Sequence, residues 1–117
     1  MTAQGPTVLV GCGRLGSAIL EGWLLTGTVA AEDLIVLSPS EKPAAEAART
    51  RGARINPPLE TLTQARVVVL AVKPAIWRDV MAPIAPFLND RVVILSVMAG
   101  VTAPPLEQGI GGAHLVL

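Results

Sequence analysis

Three glycines near the N-terminus stand at the spacing Gly-x-Gly-x-x-Gly, in the segment Gly11-Cys12-Gly13-Arg14-Leu15-Gly16. Alone, that spacing is weak evidence. Here it directly follows the apolar run Thr7-Val8-Leu9-Val10 and opens a stretch of helical periodicity, the context in which the pattern acquires chemical meaning. Gly11 suits a tight turn, Gly13 lets a backbone approach a diphosphate, and Gly16 lets the helix pack close to the strand. Unpaired N–H groups and the positive end of the helix then stabilise phosphate charge. The loop therefore predicts a pyrophosphate site, against the alternative of a turn rich in glycine for packing alone. Cys12 lies inside it. A helix N-terminus lowers a thiol pKa and could make it reactive, but a cysteine there is more often a small, semi-buried filler, which is the reading adopted. Arg14 either lies over the pyrophosphate or adenine or is a solvated arginine at a helix start.

The residues after the second strand bear on which dinucleotide is bound. A site for NAD usually carries an acidic residue at that strand's end, about 20 residues after the loop. Counting reaches Asp33, which precedes the apolar run Leu34-Ile35-Val36-Leu37 and so sits at the wrong end. The C-terminal end is instead Ser38-Pro39-Ser40-Glu41-Lys42. The hydroxyls of Ser38 and Ser40 and the ammonium of Lys42 can bind a 2′-phosphate, with no carboxylate directly at the strand end to repel it. Glu41 counts against this, because it can pair with Lys42. Ser38 or Ser40 also suits the start of the next helix. NADP(H) is the expected cofactor and NAD(H) the alternative.

Positioning such a site requires alternating strands and helices, and the chain has them. Residues 14–26 carry Leu15, Ile19, Gly22 and Trp23 at helical spacing, with Gly27 as the stop. The alanine-rich segment 41–51 predicts a second helix ending at Gly52. A short strand at 53–55 and a helical turn around 59–64 follow. Val67-Val68-Val69-Leu70-Ala71-Val72 is the most hydrophobic run and reads as a central strand buried on both faces. Lys73-Pro74 ends it, and a helix to about Phe87 is expected, kinked or shortened by Pro83 and Pro86. Another strand is predicted at 92–97, a short helix after Pro104-Pro105, and a last strand within 114–117. Such βαβ units imply one α/β domain over residues 1–117, a Rossmann-type, doubly wound, mainly parallel sheet with helices on both faces. The chain stops inside an apolar run that reads as a strand leading onward, which suggests a domain cut from a longer protein.

Composition narrows the function classes. The 117 residues are 51% hydrophobic and 15% charged, as in a globular domain. Nine basic and nine acidic side chains cancel, so no strong field draws the chain to nucleic acid or an anionic membrane. With one cysteine there is no internal disulfide, no metal-ligand cluster stands out, and no signal peptide or spanning segment is apparent. A cytoplasmic location is expected. Aromatics are scarce, being Trp23, Trp77 and Phe87 alone, so Val, Leu, Ile and Ala must build the core.

Three stretches together resemble the N-terminal half of the pyrroline-5-carboxylate reductases: Val10 to Ala18 with Glu21-Gly22, then Leu70-Ala71-Val72-Lys73-Pro74, then Leu95-Ser96-Val97-Met98-Ala99-Gly100-Val101-Thr102. The first is shared with many β-hydroxyacid dehydrogenases, whereas the second and third are more specific. The resemblance implies reduction of 1-pyrroline-5-carboxylate to L-proline by hydride transfer from NAD(P)H. It implies that Ala71, Val72, Lys73 and Pro74 line the ribose and nicotinamide, with Met98, Ala99 and Gly100 on the nicotinamide side and Asn56 near the adenosine. Read as residues, Lys73 also suits a solvated strand end and Ala99-Gly100 an ordinary turn. Ser38-Pro39-Ser40 departs from the arginine or second serine that many members carry there, and Ala65-Arg66 from their Ala-Asp. Members continue into a helical domain that forms homo-oligomers and builds the imine pocket. The 117 residues match only the part before that domain, so the chain by itself is expected to bind the nicotinamide dinucleotide, to meet the imino acid only together with such a domain, and to turn over little or nothing. No catalytic residue is expected in this chain, and His114 reads as a strand start. Two alternatives remain: a free-standing NADP(H)-sensing module, and the cofactor domain of another oxidoreductase, deazaflavin- or hydroxyacid-linked.

Overall fold

The computed structural model describes residues 5–38, 43–73, 75–89 and 91–97, together with the backbone of Leu115–Val116. β-Branched and leucine runs form β1 (Thr7–Val10), β2 (Leu34–Leu37), β4 (Val67–Leu70) and β5 (Val93–Ser96), and shorter pieces form β3 (Arg54–Ile55) and β6 (Leu115–Val116). All pair in parallel, in the order β3-β2-β1-β4-β5-β6. The order reverses between β1 and β4, which opens a crevice at their C-terminal ends where doubly wound sheets bind ligands.

Strand alternation divides the core. Val8, Val10, Ile35, Val68, Leu70 and Ile94 face one side of the sheet and pack on Leu62, Trp77, Met81, Ile84 and Leu88. Leu9, Leu34, Val36 and Val69 face the other and pack on Leu20, Ala44, Ala45 and Ala48. The parallel register keeps the faces aligned, with Val8 opposite both Ile35 and Val68. Each fully buried Leu, Ile or Val contributes about 1.5–3 kcal/mol relative to exposure. Helices on both faces and an aliphatic core are what the composition predicts.

Helix α1 (Arg14–Thr26) begins after extended Gly13 and stops at Gly27, whose left-handed backbone (φ 74°) donates its N–H to the Trp23 carbonyl at 2.9 Å. Helix α2 (Pro43–Thr50) lies beside α1, its buried alanines allowing close approach to the sheet. Glu46 and Arg49 pair on its exposed side. The turn at Leu59–Gln64 is a 3-10 helix.

Two expectations are corrected. Ala71 and Val72 lie beyond the end of β4, because β1 turns away at Gly11 and leaves them no full partner; the Ala71 N–H still reaches the Val10 carbonyl at 2.9 Å. The helix expected to reach Phe87 is only α3 (Trp77–Met81), followed by a 3-10 turn at Ala85–Phe87. Pro83 and Pro86 have no N–H to continue the ladder, so the segment breaks into short turns. The helix expected after Pro105 lies outside the described residues.

Candidate functional site

The glycine loop joins β1 to α1 at the crevice. Gly11 has φ +99°, and its N–H donates to the Leu37 carbonyl at 2.8 Å, tying the turn to the end of β2. A Cβ on Gly11 would lie 2.7 Å from the Ala71 carbonyl oxygen and 2.8 Å from Val72 Cγ1. One on Gly16 would run into the Gly11 carbonyl group, with its carbon at 3.0 Å and Ala71 Cβ beyond it at 3.6 Å. These two glycines are closed in by protein. Gly13 differs: a Cβ there would meet nothing within 4 Å. Gly13 starts α1 with no side-chain cap, no acidic residue stands in the first turn, and the Gly13 carbonyl accepts the first helical bond from Ser17 at 2.8 Å. Open space thus lies beside Gly13 at the uncapped start of α1, where the positive helix end makes a cradle suited to an anion.

Cys12 is 2% exposed and packs with Leu9 and Leu20. Its Sγ lies 3.5 Å from Ser17 Oγ, which donates to the Cys12 carbonyl at 3.0 Å. The buried-filler reading therefore holds, and only its backbone is available at the cradle. Arg14 and Leu15 are exposed on the first turn, Leu15 to 51%.

At the end of β2, Ser38 is buried, and Asn56 grips its backbone. Asn56 Oδ1 accepts from the Ser38 N–H at 2.9 Å and Nδ2 donates to the Ser38 carbonyl at 2.8 Å. Asn56 itself holds a left-handed conformation (φ 49°) and donates its N–H to the Val36 carbonyl at 2.8 Å. Both ends of its amide are committed to shaping the β2 turn. Asp33 lies before β2, at the strand's other end, as its place in the sequence predicts.

A cavity of about 330 Å³ opens across the C-terminal ends of the strands. Gly11, Ser38, Asn56 and Val72 line it, together with Leu37, Leu59 and the α3 side that includes Ile76, Asp79 and Val80. That volume is at the lower end of small-ligand pockets, roughly 300–1,000 Å³. The structure thus brings together Gly11, Gly16, Ser38, Asn56, Ala71 and Val72. Lys73 is exposed and does not line the cavity, so its side chain stays with solvent. Ser40, Lys42, Pro74, Met98, Ala99 and Gly100 lie outside the described residues. Leu59, Ile76, Asp79 and Val80 were not singled out from sequence; the available signal was their place just after β3 and β4, facing the crevice. Among the described residues no three His, Cys, Asp or Glu gather as a metal site, and no helix is long and apolar enough to cross a membrane.

Comparison with known proteins places this geometry. Residues 7–100 match the family described as NADP oxidoreductase, coenzyme F420-dependent. The pyrroline-5-carboxylate reductase of Escherichia coli (strain K12) is 32% identical over 103 residues, covering 87% of this chain and 38% of that protein. A pyrroline-5-carboxylate reductase structure from Coxiella burnetii superimposes with a TM-score of 0.81 at 23% identity, over 97% of this chain and 42% of that one. The pyrroline carboxylate reductase of Plasmodium falciparum, solved with NADP bound, gives 0.78 at 22% identity, over 99% and 42%. The two structures establish the fold. The chain spans well under half the length of these relatives.

Proposed function

Since the chain belongs to the coenzyme F420-dependent NADP oxidoreductase family, we propose that it is the NADP(H)-binding domain of an imine reductase that converts 1-pyrroline-5-carboxylate to L-proline. The observation that carries the cofactor reading is the open cradle at Gly13, set between two glycines sealed by protein at the switch point of the sheet. The names and coverage of the curated relatives support the substrate.

In this reading the backbone from Gly11 through Cys12, Gly13, Arg14, Leu15 and Gly16 holds the pyrophosphate. Ser38, with Ser40 and Lys42, reads the 2′-phosphate. Asn56 acts by fixing the Ser38 turn. The segment Ala71, Val72, Lys73 and Pro74 leaves β4 toward the ribose and nicotinamide, which Met98, Ala99 and Gly100 approach from the other side. The nicotinamide supplies the hydride, and this chain supplies position. The imino acid pocket belongs to the part of the longer relatives that this chain does not span.

Titration with NADPH, followed by proline-dependent reduction of NADP, tests the proposal. Binding with little or no turnover is expected. Brisk turnover by the 117 residues would contradict the placement of the pocket. The family description also favours a second reading, hydride exchange with a deazaflavin, and NADPH-dependent reduction of coenzyme F420 would select it.

A further inference from the structure

A side chain from inside α1 reaches back to hold the turn that precedes the helix. Ser17 Oγ donates its one proton to the Cys12 carbonyl at 3.0 Å. The Cys12 thiol is then the donor across the 3.5 Å between its Sγ and the Ser17 oxygen. The two residues close a small hydrogen-bonded ring. Among the described residues the Cys12 carbonyl has no other partner. Cys12 is 2% exposed, so without Ser17 that carbonyl would be left buried and unsatisfied.

Peptide planarity carries this bond to the next residue. The Cys12–Gly13 peptide is trans, so its N–H points opposite to its C=O. With the carbonyl turned toward Ser17, the Gly13 N–H is turned away from it, and it finds no acceptor among the described residues. Gly13 is also where the protein leaves room, since a Cβ there would meet nothing within 4 Å. A peptide that precedes glycine rotates easily, because glycine tolerates a wide range of φ. Unpinned, it can flip and present a carbonyl oxygen, which repels phosphate, in place of a donor. We propose that Ser17 is a positioning residue for the cofactor: its hydroxyl fixes the Cys12–Gly13 peptide so that the Gly13 N–H is presented to the pyrophosphate. This assignment rests on the cofactor reading above and adds to it a side chain that the glycine spacing does not include.

The test is Ser17→Ala, which removes the hydroxyl at a helical position that alanine suits. Fluorescence titration should show NADPH affinity lower by about tenfold or more, as for the loss of one charge-assisted hydrogen bond. Amide NMR at saturating NADPH supplies a readout that general loosening would not give. In the wild type, binding should shift both the Gly13 and the Ser38 N–H; in Ser17→Ala the Gly13 shift should be lost and the Ser38 shift kept. Ser17→Thr and Ser17→Val match in shape and differ by the hydroxyl, so they decide the question if the alanine variant folds poorly. The threonine variant should bind NADPH at least about fivefold more tightly than the valine variant. A Ser17→Ala chain that binds as tightly as the wild type, keeps the Gly13 shift, or loses both shifts together would overturn the role of Ser17 and leave the cofactor site standing. Equal affinity of the threonine and valine variants, or a wild-type Gly13 amide that bound NADPH does not move, would do the same. A wild-type chain that does not bind NADPH would overturn the cofactor reading, and this inference with it.

Discussion

Substituting Gly13→Ala separates binding from folding more cleanly than any other change in the loop. A Cβ at Gly13 meets no atom within 4 Å, and the backbone there has φ −76°, open to any L-residue. Alanine is a poorer N-cap than glycine by about 1 kcal/mol, while lower entropy of the unfolded chain offsets about 0.4–1 kcal/mol. The net change in stability should stay within about 0.5 kcal/mol, or about 3 °C in Tm. The methyl group would occupy the open space beside the uncapped start of α1, where the pyrophosphate is proposed to sit. Displacing one charge-assisted hydrogen bond to a phosphate costs about 1.5–3 kcal/mol, so NADPH affinity should fall roughly 10- to 150-fold. Thermal melts by circular dichroism and fluorescence titration give both numbers from one preparation. Gly16→Ala is the contrast. Its Cβ runs into the Gly11 carbonyl oxygen, so overpacking should destabilise the fold by about 1–3 kcal/mol. A Gly13→Ala protein that melts normally and binds NADPH as tightly as the wild type would refute the reasoning.

Other residues make narrower predictions. Asn56→Ala removes two hydrogen bonds to the Ser38 backbone, at a cost of about 2 kcal/mol; the melt should fall accordingly, and the preference for NADPH over NADH should weaken as the β2 turn loosens. Cys12 is buried in the core, so a thiol reagent should label it only after unfolding. Cys12→Ala should retain NADPH binding, because the side chain faces away from the cradle. Fast labelling of the native protein, or loss of binding on that substitution, would revive the reactive-thiol reading.

Much of this was legible before the structure, for reasons visible in single residues. Parallel strands buried on both faces read as unbroken aliphatic runs, so β1, β2 and β4 start where their sequence predicts. Gly27 marks the end of α1 because only a left-handed residue closes that turn readily. The two prolines foretold a broken segment after β4 but not where its one helical turn would sit, since Trp77 and Met81 are anchored by the sheet core and not by local propensity. Asn56 was placed near the adenosine by resemblance. Its side-chain hydrogen bonds go to a backbone 18 positions earlier, contacts that no local pattern encodes.

The central claim is that a dinucleotide pyrophosphate sits on the first turn of α1. Amide NMR of the isotope-labelled chain, titrated with NADPH, tests it residue by residue. The largest shifts should fall on the N–H groups of Gly13, Arg14, Leu15 and Gly16, with further changes at Ser38 and at Ala71 and Val72. Saturating NADPH that leaves the glycine-loop amides unmoved would contradict the account.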